Sequence, residues 1–247
     1  NKVSYLYSLA NKLKAEIIHH NNFIGGRYSV LSEVGMLPAY LMGLNISKFR
    51  KNLLNYLKTN NNKILKDSAI KLANILKTNK LKNLILFNYI PCLEKFLFWN
   101  QQLIAESLGK KGRGFLPSIS PAPKDHHGLL QLYLDGPKDK LFYIFSTDSK
   151  IEKKIKNNNL DRNLNYINNK SLNDIKIAQK NALIEVLRKN KIPFKEFKIK
   201  NFDEQTLGEL FSYFILETAI VGKLTNINPF DQPAVEQVKV NTIKHLI

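Results

Sequence analysis

An α/β fold built on a doubly wound parallel sheet is the architecture that this 247-residue sequence predicts, and three observations lead there. From Leu81 onward, short apolar runs alternate with longer segments whose apolar residues recur every three or four positions. Such alternation makes neighbouring strands parallel and puts crossover helices on both faces of the sheet. No Pro/Gly-rich or charge-block tract interrupts the pattern, and 44% hydrophobic residues are enough to bury a sizeable core.

The elements follow in order. Residues 3–14 read as an amphipathic helix, residues 15–19 as a short strand, and Gly25-Gly26 as a turn. An apolar helix is expected from about residue 30 to 42, kinked at Pro38, which lacks the N–H a helix interior needs. Residues 46–59 and 63–78 form two further helices of a connecting layer. Strands at 84–89, 114–119, 141–146 and 194–199 then alternate with helices ending near Leu108 and spanning 127–134, 172–190 and 206–224. Ligands of such sheets collect at the carboxyl ends of the strands, so the 118–127 loop and the turn after Tyr89 are expected near any active site.

Composition narrows the class. Lys and Arg number 38 against 20 acidic residues, a formal +18, which favours an anionic partner. The lysines are scattered, however. Lys150, Lys153, Lys154 and Lys156 precede an asparagine run on a solvated loop with no aromatic ladder, so no nucleic-acid partner is expected. Cys92 is the single cysteine, which excludes an intrachain disulfide and permits a reducing compartment. No apolar run reaches membrane-spanning length, since 210–221 is broken by Ser212 and Glu217. A cytoplasmic protein with no membrane partner is the expectation. The chain begins with Asn1 rather than Met, which reads as a start lost or processed.

Several residues could carry chemistry, each with a plainer alternative. Gly25-Gly26-Arg27-Tyr28-Ser29 precedes a helix, and glycines let a ligand approach the backbone while Arg27 faces it, although a loop arginine is more often a solvated surface charge. Gln102 and Glu106 stand four apart on one helix face. Near a helix C-terminus Glu106 lies against the unfavourable end of the dipole, a setting for a general base, yet in isolation it reads first as an ordinary exposed glutamate. His126 and His127 enter a helix without the spacing of metal ligands, so no metal is expected. His19 and His20 read as loop or strand-end residues. The segment from Asn228 to Pro233 turns into a helix with Asp231 as a cap and Pro233 in the first turn. Lys239 lies two helical turns after Gln232, about 10 Å along the same face, either reaching a ligand or snorkelling at the surface.

Taken together and in order, these segments resemble the glucose-6-phosphate isomerase family. Residues 24–32, Ile-Gly-Gly-Arg-Tyr-Ser-Val-Leu-Ser, are similar to its Gly-Gly-Arg-Tyr/Phe-Ser signature, followed by a helix containing a glycine, here Gly35. Gln101-Gln102 and Glu106-Ser107-Leu108-Gly109-Lys110 resemble its Gln-Gln…Glu-Ser-x-Gly-Lys segment. His127-Gly128-Leu129-Leu130-Gln131 comes next, and Phe230-Asp231-Gln232-Pro233-Ala234-Val235-Glu236-Gln237-Val238-Lys239 is similar to Phe-Asp-Gln-x-x-Val-Glu-x-x-Lys.

The resemblance implies a sugar-isomerase (SIS-type) sheet. It implies that Glu106 shuttles a proton between C1 and C2, that Arg27 stabilises the enediolate, and that His127 and Lys239 assist ring opening. Gly26, Gln102 and Gln232 would bind substrate, with no cofactor or metal. The substrates would be glucose 6-phosphate and fructose 6-phosphate, in glycolysis and gluconeogenesis, and the partner a second copy sharing its active sites. The alternative is a non-catalytic sugar-phosphate-binding module of the same fold. His127 rather than His126 is assigned by its spacing to Gln131, because the family's frequent Gly-Gln-His lead-in is here Asp125-His126-His127. The Ser/Thr-rich phosphate segment that precedes the Gly-Gly-Arg motif in the family has no counterpart before Gly25. Residues 1–43 are therefore expected to be the tail of a first sugar-isomerase domain, 44–230 the second domain, and 231–247 a C-terminal helix bearing Lys239. Such a chain would be a fragment that is inactive or impaired without its N-terminal part.

Overall fold

The computed structural model describes residues 4–51, 53, 62–148, 153–155 and 162–247. Among these, four strands form one parallel sheet: β1 (Asn83–Asn88), β2 (Leu116–Pro121), β3 (Lys140–Thr147) and β4 (Phe194–Ile199), in the order β2-β1-β3-β4. Asn83 is in register with both Leu116 and Lys140, and Phe142 with Phe194. The chain starts at β1, adds β2 on one side, then crosses to β3 on the other, so the topological switch lies between β1 and β3.

The helices are α1 (Tyr5–Lys12), α2 (Glu33–Leu41), α3 (Ile46–Arg50), α4 (Lys63–Thr78), α5 (Glu94–Leu108), α6 (Asp125–Gly128), α7 (Leu130–Asp135), α8 (Leu172–Lys189), α9 (Glu204–Leu224) and α10 (Pro233–Leu246). Side-chain alternation along a strand sorts the core into two layers. Leu84 and Leu86 of β1 with Leu141, Tyr143 and Phe145 of β3 pack beneath α4, α5 and α9. Ile85, Phe87, Phe142 and Ile144 point the other way, onto Tyr133 of α7 and Leu183, Ile184 and Leu187 of α8. Burial on both faces explains the near-continuous apolar run of β3. Each fully buried phenylalanine, such as Phe87, Phe142, Phe145 or Phe214, contributes roughly 2–3 kcal/mol of transfer free energy.

Local chemistry sets the helix ends. Ser171 and Asp174 form a reciprocal capping box at α8, and Asp203 accepts from the Thr206 N–H at 2.8 Å to start α9. Gly208 lets α9 cross α3 closely, because a Cβ there would fall 1.9 Å from the Phe49 carbonyl oxygen.

Several expectations change. Residues 15–19 form no strand: they pair with no other strand among the described residues, so the backbone has no ladder to join. The helix expected from residue 30 splits into a 3₁₀ turn (Gly26–Leu31) and α2, with extended backbone at Ser32 between them, and α2 continues through Pro38 to Leu41. The helix expected at 127–134 is two short pieces, α6 and α7, joined at Leu129. Asp231 does not cap α10. Gln232 is the N-cap residue, and Asp231 is drawn into an ion pair with Lys110 instead. Of the helix expected at 46–59, only α3 and residues 51 and 53 are described; residues 54–59 lie outside the described residues, as do Lys150 and Lys156.

Direction along the sheet positions everything that follows. α5 leaves the carboxyl end of β1 and runs back over 15 residues, about 22 Å, so its last turn reaches the amino edge of the strands. α9 runs back in the same sense, delivering residues 225–232 to that edge, whereas α6 follows the carboxyl end of β2 directly.

Candidate active site

Arg27 is the centre of the polar cluster at the end of α5. It is 6% exposed, and its guanidinium meets five acceptors. Nε donates to Ser107 Oγ at 2.9 Å, Nη1 to Gln232 Oε1 at 2.7 Å and to Glu106 Oε2 at 3.2 Å, and Nη2 to the carbonyls of Pro229 at 2.7 Å and Asp231 at 2.9 Å. A guanidinium carries five N–H donors, so the set is fully used and its plane is fixed by two chain segments, 106–107 and 229–232.

Glu106 sits on the last turn of α5 with its side chain 29% exposed. Arg27 holds one oxygen, and Gln102, one turn earlier, donates to the other at 3.0 Å. The carboxylate is thus clamped from both sides while one face remains open to a cleft of about 780 Å³. That cleft is lined by Glu106, Gly109 to Arg113, Asn228 and Asp231 to Val235. A partly exposed carboxylate can take a proton from carbon while a fixed cation beside it compensates charge on the adjacent oxygen.

The neighbours of the motif residues complete the arrangement. Tyr28 donates its hydroxyl to the Pro229 carbonyl at 3.0 Å and pairs with Ser107 Oγ at 2.8 Å, and burial raises the phenol above its usual range. Ser107, fully buried, is thereby shared between Arg27 and Tyr28. Trp99 Nε1 donates to the Arg27 carbonyl at 2.9 Å. His20 ties the approach to the turn, its ring meeting the Ile24 carbonyl at 3.1 Å and Glu33 at 3.2 Å. Ser107 and Tyr28 adjoin the motif residues, and that adjacency was the available signal. The role of Trp99 had none.

The structure brings together Arg27, Glu106, Gln102 and Gln232, residues that the sequence separates by up to 205 positions. Above Gly26 a Cβ would meet nothing within 4 Å, so open space lies over that backbone. His127 and Lys239 are elsewhere. Lys239 is exposed on α10, a helix with no buried residue, and pairs with Glu236 at 2.7 Å. His127 is exposed at the carboxyl edge of the sheet, and its ring makes no hydrogen bond among the described residues. His126 beside it is committed: Nε2 meets Tyr89 Oη at 2.6 Å, Phe87 packs edge-on at 5.6 Å, and burial lowers its pKa. The 118–127 segment and the turn after Tyr89 lie at the carboxyl ends of β2 and β1. The Arg27 cluster lies at the amino edge, because α5 and α9 carry their ends there. Among the described residues no group of three His, Cys, Asp or Glu side chains is placed to hold a metal.

No protein-family model matches the chain. The glucose-6-phosphate isomerase of Mycoplasmopsis pulmonis (strain UAB CTIP) is 37% identical to it over 233 residues, which cover 90% of the chain and 54% of the relative. The glucose-6-phosphate isomerase of Methanocaldococcus jannaschii is 32% identical over 240 residues, covering 93% and 58%. The chain matches a C-terminal portion of glucose-6-phosphate isomerases. It spans a little over half the length of the curated glucose-6-phosphate isomerases it matches. Among solved structures, a hypothetical protein from Thermus thermophilus superposes with a TM-score of 0.84 at 26% identity, over 98% of this chain and 60% of that one. A glucose-6-phosphate isomerase from Chlamydia trachomatis shares the fold with a TM-score of 0.74 at 16% identity, over 95% and 50%.

Proposed function

We propose that this chain carries the proton-transfer apparatus of an aldose-ketose isomerase that interconverts glucose 6-phosphate and fructose 6-phosphate, the reaction expected in glycolysis and gluconeogenesis. The observation that carries this reading is the clamp of Glu106 between Arg27 and Gln102 at the wall of an open cleft. Glu106 takes the proton from C2 of the open-chain aldose and returns it to C1. Positive charge from Arg27 lowers the energy of the enediolate between those steps, a form of stabilisation worth several kcal/mol when the donor is fixed beforehand. Gln232 and Gln102 meet substrate hydroxyls, and the open backbone at Gly26 receives the sugar chain.

His127 and Lys239 are proposed to open the sugar ring. Strands of six residues are about 20 Å tall, so His127 at one edge and Glu106 at the other cannot serve one substrate within one chain. That separation supports a homodimer in which His127 comes from the second copy. The phosphate is proposed to be held by a first sugar-isomerase domain, of which residues 1–43 are the tail, while residues 44–230 make the second domain and 231–247 its terminal helix. Without that first domain the chain is expected to be impaired. A cytoplasmic setting goes with this reading; among the described residues no helix is long and apolar enough to cross a membrane. A binding-only module would not need the carboxylate, and Glu106 is present and clamped.

The deciding measurement is exchange of the C2 hydrogen with solvent in the full-length enzyme. Glu106→Gln should reduce turnover by about 10³-fold or more with the fold intact. Turnover near normal in that variant removes the reading.

A further inference from the structure

We infer that Lys110 is a positioning residue of this site: it latches the 228–232 turn onto the end of α5 and so holds Arg27 against Glu106. The kinetic consequence rests on the isomerase reading above, whereas the structural consequence does not.

Lys110 stands one residue beyond the C-cap of α5, and the backbone around it is pinned. Arg113 N–H donates to the Lys110 carbonyl at 3.0 Å, and the two residues between, Lys111 and Gly112, both have positive φ, 54° and 69°. Two left-handed residues in succession make a tight mirror-image turn. Gly114 then passes so close that a Cβ on it would come within 2.7 Å of the Gly109 Cα. The side chain of Lys110 is directed across to the turn after α9. Its ammonium pairs with Asp231 Oδ1 at 2.8 Å and donates to the Asn228 carbonyl, with only 12% of the side chain exposed. Lys111 adds a weaker tie to the Asn226 carbonyl at 3.3 Å.

The other end of the same turn grips Arg27. Three of the five guanidinium contacts go to it: the Pro229 carbonyl, the Asp231 carbonyl and Gln232 Oε1. Asp231 therefore contributes its backbone to Arg27 and its carboxylate to Lys110. Arg27 and Tyr28 hold the turn from the Gly-Gly-Arg side, the Tyr28 ring lying 5.1 Å from that of Phe230 in the turn. Lys110 is the charged contact that holds it from the α5 side. Removing that ammonium leaves Asn228 and Asp231 with their mutual bond, Asn228 Nδ2 to Asp231 Oδ2 at 2.9 Å, which lies within the turn, so the two carbonyls that orient Nη2 lose their charged anchor to α5. The guanidinium can then swing out of the cluster, which breaks the Nε–H bond to Ser107 and draws Nη1 away from Glu106.

The test is hydrogen exchange of the Arg27 Nε–H, read by ¹H–¹⁵N spectroscopy on the 247-residue chain in three variants. Lys110→Met should accelerate exchange at least fivefold, and Lys110→Arg should restore it to within twofold of wild type. Asp231→Asn, which keeps the backbone carbonyl, should lie between them and serves as the second variant if Lys110→Met does not fold. Less than a fivefold change in the Met variant, or less than a twofold change in Asp231→Asn where the Met variant is unfolded, overturns the proposal, as does a failure of arginine to restore protection. In the full-length enzyme the same Met variant should lower kcat about tenfold while KM moves less than twofold. Loss of the isomerase reading through the Glu106→Gln experiment would remove that kinetic arm and leave the exchange measurement to decide Lys110 alone.

Discussion

The indole Nε1 of Trp99 donates to the backbone carbonyl of Arg27 at 2.9 Å, and Trp99 is the chain's single tryptophan. Its ring also meets Phe211 at 4.7 Å and Phe96 at 5.5 Å. Intrinsic fluorescence therefore reports on the site without a label. Trp99→Phe keeps most of the packing and deletes one donor to a buried carbonyl, so it should lower stability by about 1–2 kcal/mol in urea denaturation. Binding of a sugar phosphate should change the Trp99 emission of the wild-type chain.

Arg27→Lys is not a conservative change here. Lysine offers three donors from one point where five acceptors surround a planar fork, so carbonyls of Pro229 and Asp231 lose partners. Stability should fall by about 2 kcal/mol, and turnover of the full-length enzyme by about a hundredfold or more. Parallel denaturation and kinetic measurements check both.

Asp231 supplies a pH signature of the latch. Its hydrogen bond with Lys110 is the main reason its carboxyl titrates below the usual 3.8. A depressed folded-state value means the contribution is complete above 3.8 and is lost as pH falls through the lower folded value. The stability difference between wild type and Asp231→Asn should therefore be constant at neutral pH and shrink below pH 3.8, followed through Trp99 emission. A difference that persists unchanged into that range argues against the ion pair.

His126 should titrate in the opposite manner to a salt-bridged histidine. Burial, followed by the neighbouring charge of His127, lowers its pKa below 6.5, and its Nε2 lies 2.6 Å from Tyr89 Oη. The unfolded chain binds the proton first as pH falls, so this histidine's support of the fold is whole above 6.5 and lost between 6.5 and its lower folded value. Ring-proton chemical shifts give the titration directly.

Gly208→Ala tests the packing beneath α3. With the added carbon 1.9 Å from the Phe49 oxygen, the helices must separate, and a loss of about 1–3 kcal/mol is expected in thermal or urea denaturation.

Much of this fold could be read from periodicity. Lys63–Thr78 and Phe194–Ile199 have the bounds that the sequence pattern predicts, because each is a single amphipathic or edge element bordered by polar residues. Residues 15–19 misled because strand propensity is realised only where a partner strand exists. The split at Ser32 escaped notice because apolar residues continue across it while the backbone turns. In the site, Arg27, Gln102, Glu106 and Gln232 were legible through ordered motifs, and the structure assembles them. Their saturation was not legible: that Arg27 spends two donors on the carbonyls of Pro229 and Asp231 depends on backbone direction, which no side-chain pattern encodes. Nor could the pattern reveal that helices returning along the sheet carry Glu106 to the opposite edge from His127.

That separation has a genetic reading on the proposed dimer. Each site would draw its base from one gene product and its histidine from another. A subunit with Glu106 replaced and a subunit with His127 replaced would each be inactive with its own kind. Mixed, they would build one site lacking both groups and one site lacking neither, so two null alleles placed in one cell would restore growth that either alone abolishes.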